Sequence, residues 1–138
     1  MSKLIFNEKI YTYQIDYVGH VNNIIYIQWM ENGRVKLLEA MGMPAHEIAH
    51  TEEIFPILVE TNIKYKRPLF LNNTVTIEGW VSALNNASAI IEFRFFNEKS
   101  ELCATGSQKG LFIDRKTNRP ARLTENHRKA FEKYLVKN

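Results

Sequence analysis

The sequence predicts an α+β fold in which one long helix is wrapped by a curved antiparallel sheet. Three observations predict it. Periodicity runs in the order strand, long helix, four sequential strands. The later strands are joined by turns short enough for hairpins. The helix is apolar on several sides, which requires an enclosing surface, and the sheet is the only one the chain offers. With 138 residues, 45% hydrophobic and 12% aromatic, the chain suits one domain spanning 1–138 with a real core.

Lys3 to Ile15 reads as the first strand, because Tyr11, Tyr13 and Ile15 alternate with Ile10, Thr12 and Gln14. Asp16 to Asn23 follows as a turn, with Asn22 or Asn23 placed to accept a backbone N–H and cap a helix. From Ile24 the period lengthens. Ile24, Ile27, Glu31, Val35, Leu38 and Met41 step by three or four, Tyr26, Trp29, Met30 and Leu37 fill other sides, and Gly42 with Pro44 supplies the stop. After a loop of about a dozen residues, Ile57, Val59, Thr61, Ile63 and Tyr65 alternate with Leu58, Glu60, Asn62, Lys64 and Lys66 until Arg67-Pro68 bends the strand. Asn72-Asn73 turns into Val75, Ile77, Gly79 and Val81, and Asn85-Asn86 into Ala89, Ile91, Phe93 and Phe95, since Asn tolerates positive φ. A last strand runs from Leu102 to Ile113. A short helix follows, with Thr124 as cap and Ala130, Phe131, Tyr134 and Leu135 as its apolar stripe. One sheet face and two edges remain to be managed, so a homodimer or homotetramer is expected.

Composition narrows the function. The single Cys103 forms no internal disulfide, no secretory h-region opens the chain, and charged residues interrupt every apolar stretch, so a reduced cytoplasmic protein with no membrane span is expected. The net charge of +3 hides an asymmetry: residues 115–138 carry eight Lys or Arg against Glu125 and Glu132, while the first 114 residues are net negative. Such a segment suits either a phosphate-bearing partner or a solvated helix face. No nucleic acid is expected, because the basic residues are not interleaved with aromatics in a recognisable motif.

The densest polar cluster is Asp16, His20, Asn22 and Asn23, eight residues between a strand end and a helix start. A helix start offers free N–H groups and the positive end of a dipole, which stabilise an oxyanion. A carboxylate held there serves as nucleophile or as the base that activates water, with His20 and an Asn orienting the reactants. Each residue also has a plainer role: Asp16 in a turn, His20 in a loop, one Asn as the cap.

The run Asp16-x-x-Gly19-His20-Val21-Asn22-Asn23-x-x-Tyr26, with Trp29, Glu31 and Arg34 behind it, resembles the signature of the 4-hydroxybenzoyl-CoA thioesterase branch of the hotdog-fold acyl-CoA thioesterases. The His-Val-Asn-Asn-x-x-Tyr part is similar to the acyl-ACP thioesterases, and Tyr65-Lys66-Arg67-Pro68-Leu69 and Phe112-Ile113-Asp114 also fit. The resemblance covers roughly residues 3 to 115. It implies a hotdog fold assembled as dimers or tetramers, with active sites at the subunit interface and an acyl-CoA or acyl-ACP thioester as substrate. It implies Asp16 as catalytic acid residue, with His20 and Asn23 as further catalytic positions, and Gly19, Asn22, Tyr26, Lys66 and Arg67 as substrate-binding positions. Val18 stands where the acyl-ACP branch has a catalytic asparagine, which sets the two mechanisms apart. No cofactor and no metal is called for.

Other candidates read as structure. Glu31 pairs with Arg34 at helical spacing, Cys103 is a small buried residue with no basic neighbour, and His46 with His50 lacks a third ligand. Lys64, Lys66 and Arg67 suit the phosphates of coenzyme A or a solvated edge. The competing functions are a hydratase, whose motifs are missing from the sequence, and a non-catalytic acyl or CoA binder on the same scaffold.

Overall fold

A computed structural model describes residues 2–136, so Lys137 of the basic segment lies outside the described residues. The strands are β1 (Leu4–Lys9), β2 (Ile54–Tyr65), β3 (Thr74–Leu84), β4 (Ser88–Phe96) and β5 (Leu102–Asp114). The helices are α1 (Asn23–Ala40), α2 (Ala45–Thr51) and α3 (Glu125–Glu132). The sheet is antiparallel throughout, in the order β1-β3-β4-β5-β2, and α1 lies across one face of it. This is the helix-and-sheet architecture expected from the sequence, except that β2 does not form a hairpin with β3 but crosses to the far edge beside β5.

The chain reverses where its turn residues allow. Asn72 takes φ 72° ahead of β3, and the N–H of Asn85 bonds the Ser88 carbonyl to close the β3–β4 hairpin. Ala89, Ile91, Phe93 and Phe95 face the core from β4, as their alternation requires, and Trp80 and Cys103 are buried as well. At the middle of α1, Gly33 leaves room for the sheet. A Cβ there would lie 2.6 Å from Phe93 Cε1 and 3.3 Å from the ring of Phe6.

Four further expectations are corrected. The first strand ends at Lys9, not Ile15. Gln14 bends the chain into a 3-10 turn over Thr12–Gln14, its side chain accepting from the Tyr11 N–H (2.9 Å) and its own N–H reaching the Tyr11 carbonyl (3.0 Å). The buried side of α1 is Ile25, Tyr26, Trp29, Met30, Gly33 and Leu37 with Leu38, whereas Ile24, Ile27 and Val35 of the expected stripe are exposed. The segment after α1 contains α2 where a loop was expected. Finally, a bulge interrupts β2 where the register passes from Leu58↔Gly110 to Glu60↔Lys109, so its alternation does not run unbroken past Val59.

The C-terminal segment behaves largely as read. Thr124 accepts from the His127 N–H (3.1 Å), Ala130 and Phe131 are buried, and Leu135 bridges to Val81 just beyond the helix.

Candidate active site

The turn before α1 is held by its own backbone. The Asp16 N–H donates to the His20 carbonyl (2.8 Å) and the Gly19 N–H to the Asp16 carbonyl (3.1 Å), while Gly19 takes φ +86°, where a side chain would be strained. Oδ1 of Asp16 accepts from the N–H groups of Val18 (3.0 Å) and His20 (3.1 Å). Asp16 therefore does close a turn, but with one oxygen. Oδ2 carries no bond among the described residues.

Two ties fix this turn against the chain after β2. The Val21 N–H donates to the Leu69 carbonyl (2.8 Å), and His20 bridges to Phe70, with the two rings edge to face at 5.3 Å. His20 makes no side-chain hydrogen bond among the described residues. The pairing sets Lys66, Arg67 and Pro68 beside Asp16.

The helix start offers fewer donors than expected. Asn22 is the cap, its side chain accepting from the Ile24 N–H (3.1 Å), and its own N–H goes to the Gln14 carbonyl (2.8 Å). Of the three amides from Asn22 to Ile24, only that of Asn23 is left without an acceptor among the described residues. Because it sits at the first residue of α1, it combines an open N–H with the positive end of the helix.

A cavity of about 260 Å³ opens at this point and gathers Asp16, His20, Asn23, Tyr26, Lys66 and Arg67, six of the eight expected site residues. Gly19 and Asn22 do not line it; they act on the backbone, one permitting the turn and the other capping the helix. The ring of Tyr26 is 3% exposed, packed edge to face on Trp29 (5.4 Å), Phe95 (5.5 Å) and Tyr65 (5.2 Å), and burial pushes its phenol well above the usual range. Lys66 is exposed, and Arg67 pairs with Glu101 at 3.5 Å.

Tyr65, read from the sequence as one face of β2 and as the start of the Tyr65-Lys66-Arg67-Pro68-Leu69 run but with no role in the site, lines the same cavity. Its hydroxyl donates to the Asn23 carbonyl at 3.3 Å, and partial burial raises its pKa above the usual phenol value. The Tyr65-Lys66-Arg67-Pro68 motif was the available signal.

A second, more apolar cavity of about 110 Å³ lies between Leu38, Ile57, Leu58, Ile91, Phe112 and Phe131, with Arg34 and Gln108 at its polar corner. Arg34 pairs with Glu31, as their spacing suggested, and also donates to Oε1 of Gln108 (2.7 Å), which is 1% exposed. Arg34 is eleven residues along α1 from Asn23, about 16 Å by helical rise, so the two cavities of one chain are far apart.

A family model described as the thioesterase-like superfamily matches residues 10–131. The long-chain acyl-CoA thioesterase FadM of Escherichia coli is 29% identical over 132 residues, covering 92% of this chain and 96% of that protein. A putative acyl-CoA thioesterase of Bacillus subtilis is 26% identical over 118 residues, covering 86% and 82%. Among solved structures, a DHNA-CoA thioesterase from Staphylococcus aureus superposes with a TM-score of 0.85 over 99% of both chains at 23% identity, a likeness of fold.

Proposed function

The chain belongs to the thioesterase-like superfamily and is a thioester hydrolase, and from that premise we propose that it cleaves acyl-CoA thioesters at the cavity beside Asp16. One observation carries the reading: Asp16, a carboxylate with one oxygen left without a hydrogen bond among the described residues, shares a cavity with Asn23, whose amide at the start of α1 is likewise open among them. The Asn23 N–H polarises the thioester carbonyl and receives the charge that develops on its oxygen. A donor so placed is worth about 10² to 10³ in rate. Oδ2 of Asp16 attacks the carbonyl carbon, expelling the thiolate and leaving a mixed anhydride that water then hydrolyses to the free acid and the Asp16 carboxylate, or it takes the proton of a water that attacks directly, while the two amides on Oδ1 keep the carboxylate aimed. The thiolate leaves with little need of a proton, so no full triad is required. His20 and the carboxamide of Asn23 hold the water, and Lys66 and Arg67 meet the phosphates of the carrier.

The enzyme works as a homodimer. β2 is an edge strand of 12 residues, and Ile57, Leu58 and Val59 on it, with Ile24, Ile27 and Val35 on α1, are exposed. Two copies of β2 paired antiparallel about a two-fold axis set the Tyr65 end of one strand beside the Ile57 end of the other. The apolar cavity of one copy then receives the acyl group whose thioester lies at Asp16 of its mate.

The test is release of free thiol from short, long and aromatic acyl-CoA esters and from acyl-ACP. Wild type turns over, and Asp16→Asn loses about 10² to 10⁴ in kcat/KM with unchanged far-UV circular dichroism. Equal rates for the two proteins overturn the role of Asp16. Turnover of acyl-ACP alone overturns the choice of carrier.

A further inference from the structure

We infer that Tyr65 is a positioning residue of this site: its hydroxyl pins the first turn of α1 and so holds the Asn23 N–H where the thioester oxygen must dock, a step that rests on the reading of Asp16 and Asn23 given above.

The inference starts from what fixes Asn23 in place. On its N-terminal side the backbone is fastened, because the Asn22 N–H is bonded to the Gln14 carbonyl and the Asn22 side chain is bonded to the Ile24 N–H. On its C-terminal side the buried Ile25 and Tyr26 seat the turn on the core, and Tyr65 adds a tie to Asn23 itself, its O–H reaching the Asn23 carbonyl at 3.3 Å. Helix ends fray unless something outside the helix holds them, and here the residue at the end carries the amide that the reaction needs.

The orientation of Tyr65 is itself set by the core. Its ring meets that of Tyr26 edge to face at 5.2 Å and an interplanar angle of 76°, and Tyr26 is locked between Trp29 and Phe95. The sequence of contacts runs from the buried Phe95 through Tyr26 to Tyr65 and then to Asn23. A phenol keeps its proton near neutral pH, so the oxygen has one to donate. A long, partly solvated hydrogen bond contributes little to global stability. Its position at the oxyanion donor explains why it matters, since misplacement of a reacting group by about 1 Å costs up to about 10² in rate.

The substitution that tests this is Tyr65→Phe, which keeps the ring against Tyr26 and removes only the donor. On an acyl-CoA ester turned over by wild type, kcat is expected to fall about tenfold while KM stays within about twofold and the thermal midpoint within about 2 °C. In parallel, amide hydrogen exchange of the first turn, residues 23–27, is expected to speed up in Tyr65→Phe and not elsewhere in α1. A rise in KM with unchanged kcat overturns the inference in favour of a direct substrate contact. Unchanged kcat, or exchange unaltered in the first turn, overturns it outright. If wild type hydrolyses no ester, the thioesterase reading fails by itself, and the exchange measurement still decides whether Tyr65 holds the Asn23 turn.

Discussion

His127 is the polar side chain most at odds with its surroundings. It is 4% exposed on α3, 5.6 Å from the ring of Phe112, with Nδ1 unpartnered among the described residues and Nε2 4.0 Å from a carboxylate oxygen of Glu52. Burial holds its pKa below the usual histidine value, and the nearby Glu52 only partly offsets this. The unfolded chain takes up a proton near pH 6.5, whereas the native state takes it up only at lower pH, so the unfolded state binds more protons in between. The stability that neutral His127 contributes is therefore complete above about pH 6.5 and is lost as the pH falls below it. Urea midpoints measured at pH 7.5 and pH 5 should drop in wild type, and the drop should be smaller in His127→Leu; equal drops would exclude His127 as a source of the slope. Residues whose roles are local were legible in the sequence. Asn22 caps α1 because capping needs only its own neighbours, and Asp16 folds over its own turn for the same reason. Tyr65 and the open Asn23 amide were not legible, because one depends on a contact 42 residues away and the other on which neighbouring amides find acceptors.

Among the elements, the β3–β4 and β4–β5 hairpins and the cap of α3 could be read from alternation and turn residues, while the crossing of β2 to the edge beside β5 and the buried side of α1 could not. An apolar helix with Ile24, Ile27 and Val35 on one side and Ile25, Trp29 and Leu37 on another has no single stripe to find, and the sheet's position decides which side is covered. Gly33 marks the covered side. Replacing a mid-helix glycine by alanine favours a helix by about 1 kcal/mol, yet the added Cβ would sit 2.6 Å from Phe93 Cε1, and Phe93 is 1% exposed with no room to withdraw. Overpacking of this kind typically costs about 1–3 kcal/mol. The clash should win over the propensity: Gly33→Ala is expected to lower unfolding stability by about 1 kcal/mol in a urea titration, and a variant more stable than wild type would show that α1 can retreat from the sheet.

At the scale of the whole molecule, the unexplained quantity is apolar surface. β2 exposes Val59 (49%) and Leu58 (39%) along an unpaired edge, and α1 adds Ile24 at 61%. An edge of this length invites pairing unless a charge or a bulge blunts it, and the bulge at Val59 displaces the register by a single residue without closing the edge. The alternation in the sequence already showed that one face and two edges lacked cover; it could not show which edge is used, since that depends on the strand order. The order leaves β1, six residues long, at one side and the 12-residue β2 at the other, and the exposed residues of α1 and both cavities favour β2. A lysine placed in the middle of the edge repels its two-fold mate across the pair and blocks close approach. Val59→Lys should therefore sediment as a monomer where wild type sediments as a dimer, with unchanged far-UV circular dichroism. In the proposed dimer the turn with Asp16 and the apolar cavity for the acyl group come from different copies, so the monomer should also lose most of its thioesterase activity. A fully active monomer would return both halves of the site to one chain, and an unaltered dimer would move the interface away from β2.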